Sequence, residues 1–390
     1  MIFLFSASSI AGWFYVHVLA PDWELPFNYG ARASLDALAV ADRVFFMASF
    51  AFAIGFSAFV RSRSHQTVFK SDKGWELKLG GQSLARKQFL SVSVFLLVFL
   101  CLYLSYPEHG VIYRNEYLPK DSIRPLHIVG KLLLPMVLVH AHLIGLNRYL
   151  LSFYYLGFAL ILFGMASRFM VFLPVAYLVA SFLGNRSTRP IRLLVAGAGA
   201  FFFVGLAMQL RTSQSHGVIP YLNSVGTLPS IFDLMIGAVG YATAFSYALT
   251  AFTIENMTYA ASDFFISIDP RMGFMVGWYD LHSLLRNNTY APYNALAELH
   301  YMGWSYLLFY FFFAGAVFAF LRRYHCKDRL SALVIYTSAW MFAFQVAQYN
   351  LRPATRVVYY MIFFHLCIYI FRRVRASALK PSLSAPFQRE

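Results

Sequence analysis

The sequence predicts an all-α fold, a polytopic membrane bundle of about ten transmembrane helices with one large outer loop. Three observations support this fold class. Hydrophobic residues fill 59% of the 390 positions. Charged residues fill only 13%, about half the fraction that is usual in a soluble domain. Apolar runs long enough to cross about 30 Å of hydrocarbon recur along the chain.

The apolar runs follow one another with short polar segments between them. The first run ends in Val18-Leu19-Ala20, which weakly resembles a signal cleavage site, but no lysine or arginine precedes it, so we predict an uncleaved first helix. Because membrane spans share one bundle, we predict a single integral membrane domain over residues 1–390. The predicted spans lie at 1–20, 37–60, 89–106, 127–146, 149–167, 169–184, 193–210, 304–321, 331–348 and 357–371.

Charge is distributed unequally between the two alternating sets of connecting segments. One set carries 20 Lys and Arg against four acidic residues, and the other carries 10 against 12. The positive-inside rule therefore assigns the first set, with both termini, to the cytoplasm. The net charge of +15 is an orientation signal, and we predict no nucleic-acid partner. The cytoplasmic set comprises 61–88, 147–148, 185–192, 322–330 and 372–390.

The long segment 211–303 departs from this alternation. It contains an apolar stretch, 231–254, with the length of a further span. A single crossing there would turn the basic cluster between Arg322 and Arg329 outward, against the orientation rule. We therefore predict that 211–303 is a large outer loop with re-entrant or interfacial helices, whose irregular backbone is buried by protein. Long ordered loops usually carry function.

Several arginines lie on the predicted outer side, where the orientation rule disfavours them. Arginine makes bidentate hydrogen bonds to phosphate and keeps its charge, so we predict that these guanidinium groups bind an anionic lipid. Each of them has an alternative role, which is to snorkel to headgroups or to pair with a local acid. Charges inside the runs, at Asp42, Arg43 and Lys131, indicate function or pairing near the interface. The predicted binding arginines are Arg168, Arg211, Arg271, Arg286, Arg352 and Arg356.

Two motifs carry a family resemblance. Gly164-Met-Ala-Ser-Arg168 connects two runs, and Ala291-Pro-Tyr-Asn-Ala-Leu-Ala-Glu-Leu-His-Tyr-Met-Gly-Trp304 ends the outer loop. Together they resemble the Wzy family of bacterial O-antigen and oligosaccharide repeat-unit polymerases, across the topology of the whole chain but in motif only at these places. Recurring family positions match Arg168, Glu298, Tyr301 and Gly303, whereas Phe169 stands where relatives often have glycine.

The resemblance implies a multi-pass enzyme of the bacterial inner membrane with a periplasmic active site. Such an enzyme transfers a growing glycan from undecaprenyl pyrophosphate to a hydroxyl group of another lipid-linked repeat. The implied partners are the undecaprenyl-pyrophosphate-linked oligosaccharide, membrane lipids and a chain-length regulator protein.

Glycosyl transfer from a pyrophosphate donor needs charge stabilisation on the departing phosphate and a base near the attacking hydroxyl. The candidate bases are Glu298, Asp280 and His282, which the sequence does not rank. Asp280 alternatively caps a helix and His282 alternatively is a solvated loop residue. Tyr301 is a candidate for stacking on a sugar. No outer segment has the ligand spacing of a metal site, so we predict neither metal nor cofactor.

Two other functions fit parts of the pattern. An O-antigen ligase shares the donor and the long outer loop, and it would use a loop histidine, for which His216, His282 and His300 are available. A flippase for lipid-linked sugars also needs cations, but along the membrane interior instead of at one face. Histidines in the apolar runs, such as His127 and His140, are more typical of buried hydrogen-bonding groups than of haem ligands.

Overall fold

The computed structural model describes residues 10, 13–14, 18, 33–59, 84–116, 123–183, 190–242, 244–287, 292–325 and 329–378. Within these residues every regular element is a helix, which confirms the predicted all-helical class. Most of the predicted first helix, 1–20, and most of the predicted polar linker at 61–88 lie outside the described residues.

The helices follow the predicted apolar runs closely. In chain order they are α1 (Leu35–Phe59), α2 (Leu84–Leu104), α3 (Arg124–Leu143), α4 (Arg148–Gly164), a 3₁₀ helix (Arg168–Val171), α5 (Phe172–Leu183), α6 (Pro190–Leu210), α7 (Val218–Asn223), α8 (Ile231–Ala242), α9 (Ala244–Asn256), α10 (Ala261–Ile268), α11 (Trp278–Leu284), α12 (Ala295–Tyr301), α13 (Trp304–His325), α14 (Arg329–Gln348) and α15 (Leu351–Ala378).

Six helical segments in the described part of the chain are long and apolar enough to cross a membrane. The protein is therefore a membrane-embedded helical protein. Other predicted runs, 89–106, 149–167, 169–184 and 331–348, also form helices, but these are shorter or less apolar, so the number of ten spans stays a prediction. The six segments are Leu35–Phe59, Pro125–Leu143, Pro190–Leu210, Ile231–Asn256, Trp304–Arg323 and Leu351–Ile370.

The segment Ile231–Asn256 has the length and apolar composition of a span, as its sequence already indicates. It consists of α8 and α9, with residue 243 between them outside the described residues. Length and composition do not distinguish a crossing from a re-entrant path, so the assignment of this segment to a large outer loop also stays a prediction.

Contacts divide the chain into two compact units. The terminal unit comprises Met1–Phe69 and Ala242–Glu390, and the central unit comprises Lys70–Tyr241. Each has its own apolar core, and the terminal core includes Phe45, Phe311 and Phe342 whereas the central core includes Phe95 and Tyr154. The single integral membrane domain stays a prediction, because membrane helices of one domain can pack in more than one cluster.

In the terminal unit, α1 packs along α13 through small residues. A side chain at Gly55 would collide with the backbone of Phe312, and one at Gly315 would collide with the backbone of Phe52. Close backbone approach of this kind lets two membrane helices gain van der Waals contact over their whole length. The short helix α12 packs against both helices of this pair, whereas α10 packs against α15.

Candidate functional site

A sharp turn after α4 presents Arg168 in the central unit. The helix ends at Gly164, where a side chain would collide with the backbone of Val111. Ala166 is fully buried and has a φ of 45°, in the left-handed region that disfavours residues with a side chain. Ser167 then caps the 3₁₀ helix, with its hydroxyl oxygen accepting a hydrogen bond from the Phe169 backbone N–H at 3.4 Å.

Three cations meet at this turn, and we name Lys131, Arg168 and Arg211 the central basic cluster. Arg168 donates a hydrogen bond to the Tyr241 hydroxyl, and its guanidinium carbon lies 5.3 Å from the Tyr241 ring centroid. Arg211, directly after α6, donates from Nε to the carbonyl of the strained Ala166 at 3.1 Å.

Lys131 projects from α3 into the same neighbourhood. Its Nζ lies 4.7 Å from the centroid of the Phe169 ring, and it interacts electrostatically with both Arg168 and Arg211. Among the described residues, the charged groups acting on this ammonium are these two guanidiniums, which repel it. Like charges held together in a partly buried place attract anions, so this turn is a candidate anion site.

The sequence predicted a shared site for Arg168 and Arg211, and the structure places both at one turn. For Lys131 it indicated either a functional charge or one that pairs near the interface. It gave no sign of Tyr241, because a tyrosine in an apolar helix is common and its partner lies 73 positions away. The signal in the sequence that pointed to this site was Arg168, a cation in a short turn between two apolar runs.

A second group of arginines lies in the terminal unit, at the start of α15. Arg352 and Arg356 are four residues apart and therefore share one face of the helix. Arg352 is only 2% exposed, and it donates to the carbonyl of Ile266 and, at 2.6 Å, to that of Arg271. Its guanidinium carbon lies 5.2 Å from the Trp278 ring centroid. Arg352 thus satisfies backbone carbonyls at and beyond the end of α10.

The remaining arginines of this unit are more accessible. Arg356 donates to the Arg271 carbonyl at 2.9 Å, and Arg271 forms an ion pair with Asp269 at 2.8 Å while its side chain is 66% exposed. Hydrogen bonds from Arg271 hold the pKa of Asp269 down at about 2, so the ion pair persists at neutral pH. Arg286 is exposed and lies 3.3 Å from Nδ1 of His282.

Glu298, a candidate base, is completely buried in the terminal unit. Its Oε2 accepts hydrogen bonds from the Tyr259 hydroxyl at 3.1 Å and from the backbone N–H of Leu351 at 3.3 Å. Burial raises the pKa of this carboxyl to about 8. In this conformation Glu298 is therefore a neutral acid that links α12 to the first turn of α15, and substrate has no access to it.

Asn294 explains why Glu298 sits there. Its side-chain oxygen caps α12 by accepting from the backbone N–H groups of Leu296 at 2.9 Å and Ala297 at 3.3 Å, and its side-chain nitrogen donates to the Ala347 carbonyl. This cap fixes the register of α12 against the end of α14.

The other candidate bases are more accessible. Asp280 is exposed on the short helix α11, and His282 is partly exposed on the same helix with the Trp278 ring 5.7 Å away. Burial, and secondarily the charge of Arg286, lower the pKa of His282, so its imidazole is neutral at pH 7. Tyr301 is 54% exposed, as a ring that stacks on a sugar has to be. It contacts the Tyr259 ring edge to face, with 6.0 Å between the ring centroids.

The loop histidines differ in access. His216 is 4% exposed in the central unit and its Nδ1 lies 2.8 Å from the Tyr221 hydroxyl. His300 packs against Trp304 at 4.6 Å between ring centroids. Of the three histidines named for a ligase, His282 lies beside the exposed Arg286 and His300 interacts with the exposed Arg43.

Within the described residues, no three or more His, Cys, Asp or Glu side chains gather as metal ligands would. Comparisons of the chain with protein-family models, with curated proteins and with solved structures find no match. The Wzy resemblance accordingly stays a prediction.

Proposed function

We propose that this chain is a glycosyltransferase of the bacterial inner membrane that polymerises oligosaccharide repeats at the periplasmic face. It would transfer glycan from undecaprenyl pyrophosphate onto a second lipid-linked repeat, without a metal. The proposal includes the ten-span topology, cytoplasmic termini and the large periplasmic loop 211–303.

The central basic cluster is the observation that carries the proposal. Arg168 and Arg211 both repel Lys131 there, and a diphosphate with two or more negative charges would offset this repulsion by attracting all three cations. The arginines supply planar donors that match phosphate oxygens, and Lys131 supplies a compact charge. Arg168 and Arg211 follow the ends of α4 and α6. This position suits a lipid headgroup at a membrane surface, with the lipid chain alongside the helices.

In the reaction the acceptor hydroxyl attacks the anomeric carbon of the donor glycan. The bond from that carbon to the pyrophosphate oxygen breaks, and its electron pair leaves with the pyrophosphate. The hydroxyl proton passes to a base, for which the partly exposed and neutral His282 or the exposed Asp280 is suited. The central basic cluster stabilises the charge that develops on the leaving group.

The exposed groups of the terminal unit complete the assignment. Arg271 and Arg356 have N–H groups beyond those that bond to their carboxylate, carbonyl and hydroxyl partners, since a guanidinium has five, and Arg286 is exposed beside His282. They are suited to a second lipid phosphate or to sugar hydroxyls. Arg352 and Glu298 serve instead as structural supports of this region, because both are buried and hydrogen-bonded within the protein.

The test is to incubate the purified protein with a synthetic undecaprenyl-pyrophosphate repeat and to resolve the products on a gel. A ladder of repeat lengths supports a polymerase. Transfer solely to an added lipid A core identifies a ligase, and lipid movement without transfer identifies a flippase. Arg168→Ala should weaken the ladder strongly, since transfer should fall about 10- to 100-fold.

Arg148→Ala is the matched control for this assay. Arg148 is exposed at the opposite end of α4, where it stacks on Tyr149. Its loss should leave the ladder intact. An unchanged ladder in Arg168→Ala, at equal protein abundance, refutes the assignment of the cluster to the leaving group.

A further inference from the structure

The central unit contains an open cavity of about 700 Å³ that is separate from the basic cluster. It lies among α3, α4, α5 and α6, and it follows α6 from Arg192 to Phe203. These two residues are eleven positions apart, which corresponds to about 16 Å along a helix. We name this cavity the α6 groove.

The walls of the α6 groove are apolar, and its rim is exposed. Leu156, Ile191 and Val195 are each at least 60% exposed on the rim. Leu173, Pro174 and Phe203 line it further in. The groove is therefore open and apolar, and its rim carries exposed branched side chains. In a membrane protein, these properties suit the hydrocarbon chain of a lipid.

Polar groups are few and unevenly placed. His142 and Tyr155 form a hydrogen bond, with 2.8 Å between Nε2 and the hydroxyl oxygen. Because these two groups bond to each other, they do not require a polar ligand. Arg192 is exposed at one end of the groove, on the first turn of α6. A cation at one end of an apolar groove fits an amphiphile with an anionic headgroup.

The sequence around Arg192 strengthens this charge complementarity. Arg186 and Arg189 precede it in the segment 185–192, which contains no acidic residue. The orientation rule assigns this segment to the cytoplasmic side. Basic pockets between membrane helices on that side are typical binding places for anionic phospholipid headgroups. The carrier of the proposed reaction would act at the opposite ends of α4 and α6.

We propose that the α6 groove binds one anionic phospholipid of the cytoplasmic leaflet, with an acyl chain along α6 and its phosphate at Arg192. The bound lipid bridges α4, α5 and α6 and so stabilises the helices that hold the Arg168 turn. This site uses none of the residues assigned to the reaction, and it rests on the proposed function only for the orientation that selects the leaflet.

The experiment uses the full-length protein, purified and delipidated in a non-ionic detergent. Phosphatidylglycerol and phosphatidylcholine with identical acyl chains are added separately, and bound lipid is counted by native mass spectrometry with thermal melting in parallel. Phosphatidylglycerol should bind more tightly and raise the melting temperature more. Undecaprenyl phosphate is the third arm, because it shares the anionic phosphate.

Two variants and one control locate the binding. Arg192→Gln removes the charge at an exposed position, so the fold should persist, and it should weaken phosphatidylglycerol binding about fivefold or more. Gly199→Leu fills the groove, and its Cβ meets Pro174 at the ordinary contact distance of 3.8 Å, so the helices need not separate. Arg148→Gln removes an exposed arginine on the same predicted side and should change nothing.

Loss of the phosphatidylglycerol preference in Arg192→Gln and Gly199→Leu, but not in Arg148→Gln, supports the proposal. Equal binding of phosphatidylglycerol and phosphatidylcholine by the wild type would overturn it. A preference that survives both groove variants would also overturn it, because the lipid would then bind elsewhere. If undecaprenyl phosphate binds more tightly than phosphatidylglycerol, the occupant of the groove is the lipid carrier, and the phospholipid proposal is overturned.

Discussion

Replacement of Glu298 by glutamine separates a structural role from a catalytic one. The carboxyl is buried and accepts hydrogen bonds from Tyr259 and from the Leu351 backbone. With a pKa of about 8 it is neutral at pH 7, and a glutamine amide oxygen can accept the same two bonds. Glu298→Gln should therefore leave stability nearly unchanged at pH 4.5 and below, where the wild-type carboxyl is protonated in both the folded and the unfolded state. Glu298→Ala leaves two buried donors unsatisfied, at a cost of about 1–3 kcal/mol each.

The pH dependence follows from the same pKa. The folded value of about 8 lies above the ordinary 4.5, so the folded state holds a proton that the unfolded state releases. Glu298 therefore contributes its full stabilisation below pH 4.5, and this contribution is lost as the pH rises towards 8. The loss across this window is roughly 5 kcal/mol. Glu298→Gln removes the titrating group and with it this part of the pH dependence.

Thermal melting of the detergent-solubilised protein between pH 5 and pH 9 measures both effects. The wild-type melting temperature should fall with rising pH, whereas that of Glu298→Gln should stay flatter. Identical pH profiles for the two proteins would refute the argument. The gel assay adds a catalytic readout, since loss of the ladder in a stable Glu298→Gln protein would return this residue to the role of base.

Further outcomes are expected at the arginines and at His282. Arg352→Ala should lower the melting temperature more than Arg356→Ala, because Arg352 is buried and donates two charged hydrogen bonds, each worth about 1.5–3 kcal/mol. Arg168→Ala should reduce transfer about 10- to 100-fold through one lost phosphate bond, whereas Tyr241→Phe, which keeps the ring beneath the guanidinium, should change transfer less than threefold. With His282 as the base, transfer should fall below its pKa, which lies under 6.5, and His282→Ala should remove that acid limb.

Helix positions were predictable because membrane helices are coded locally. An apolar run of sufficient length has to form a helix, since lipid leaves no other partner for its backbone. The runs at 37–60 and 304–321 appear as α1 and α13. The placement of Arg352 and Arg356 on one helix face also follows from their four-residue spacing.

Side-chain environments were not predictable, because they depend on distant segments. The partners of Glu298 lie 39 and 53 positions away, at Tyr259 and Leu351. From the sequence, Glu298 and His282 were equally good candidates for the base. The complete burial of Glu298 is a property of the folded chain alone. The sequence similarly predicts that Arg352 is a cation on the outer side that binds an anion. In the structure its N–H groups bond to backbone carbonyls more than 80 positions away.

Lys131 offers the strictest test of the anion site, because binding and stability should change in opposite directions. Two guanidiniums repel its ammonium, and partial burial adds a desolvation cost, while the contact with Phe169 returns only about 0.5–2 kcal/mol. Lys131→Met keeps a flexible side chain beside that ring and removes the charge. Without ligand, the variant should therefore melt at a higher temperature than the wild type.

A lipid pyrophosphate should reverse this order. It stabilises the wild type by binding the folded state, and the variant should gain less because one cationic contact is missing. Arg148→Met, at the opposite end of α4, should shift neither measurement. A Lys131→Met protein that is less stable without ligand would indicate that the lysine serves the fold. The repulsion would then have to be neutralised within the protein, and an anion would no longer be required to explain the cluster.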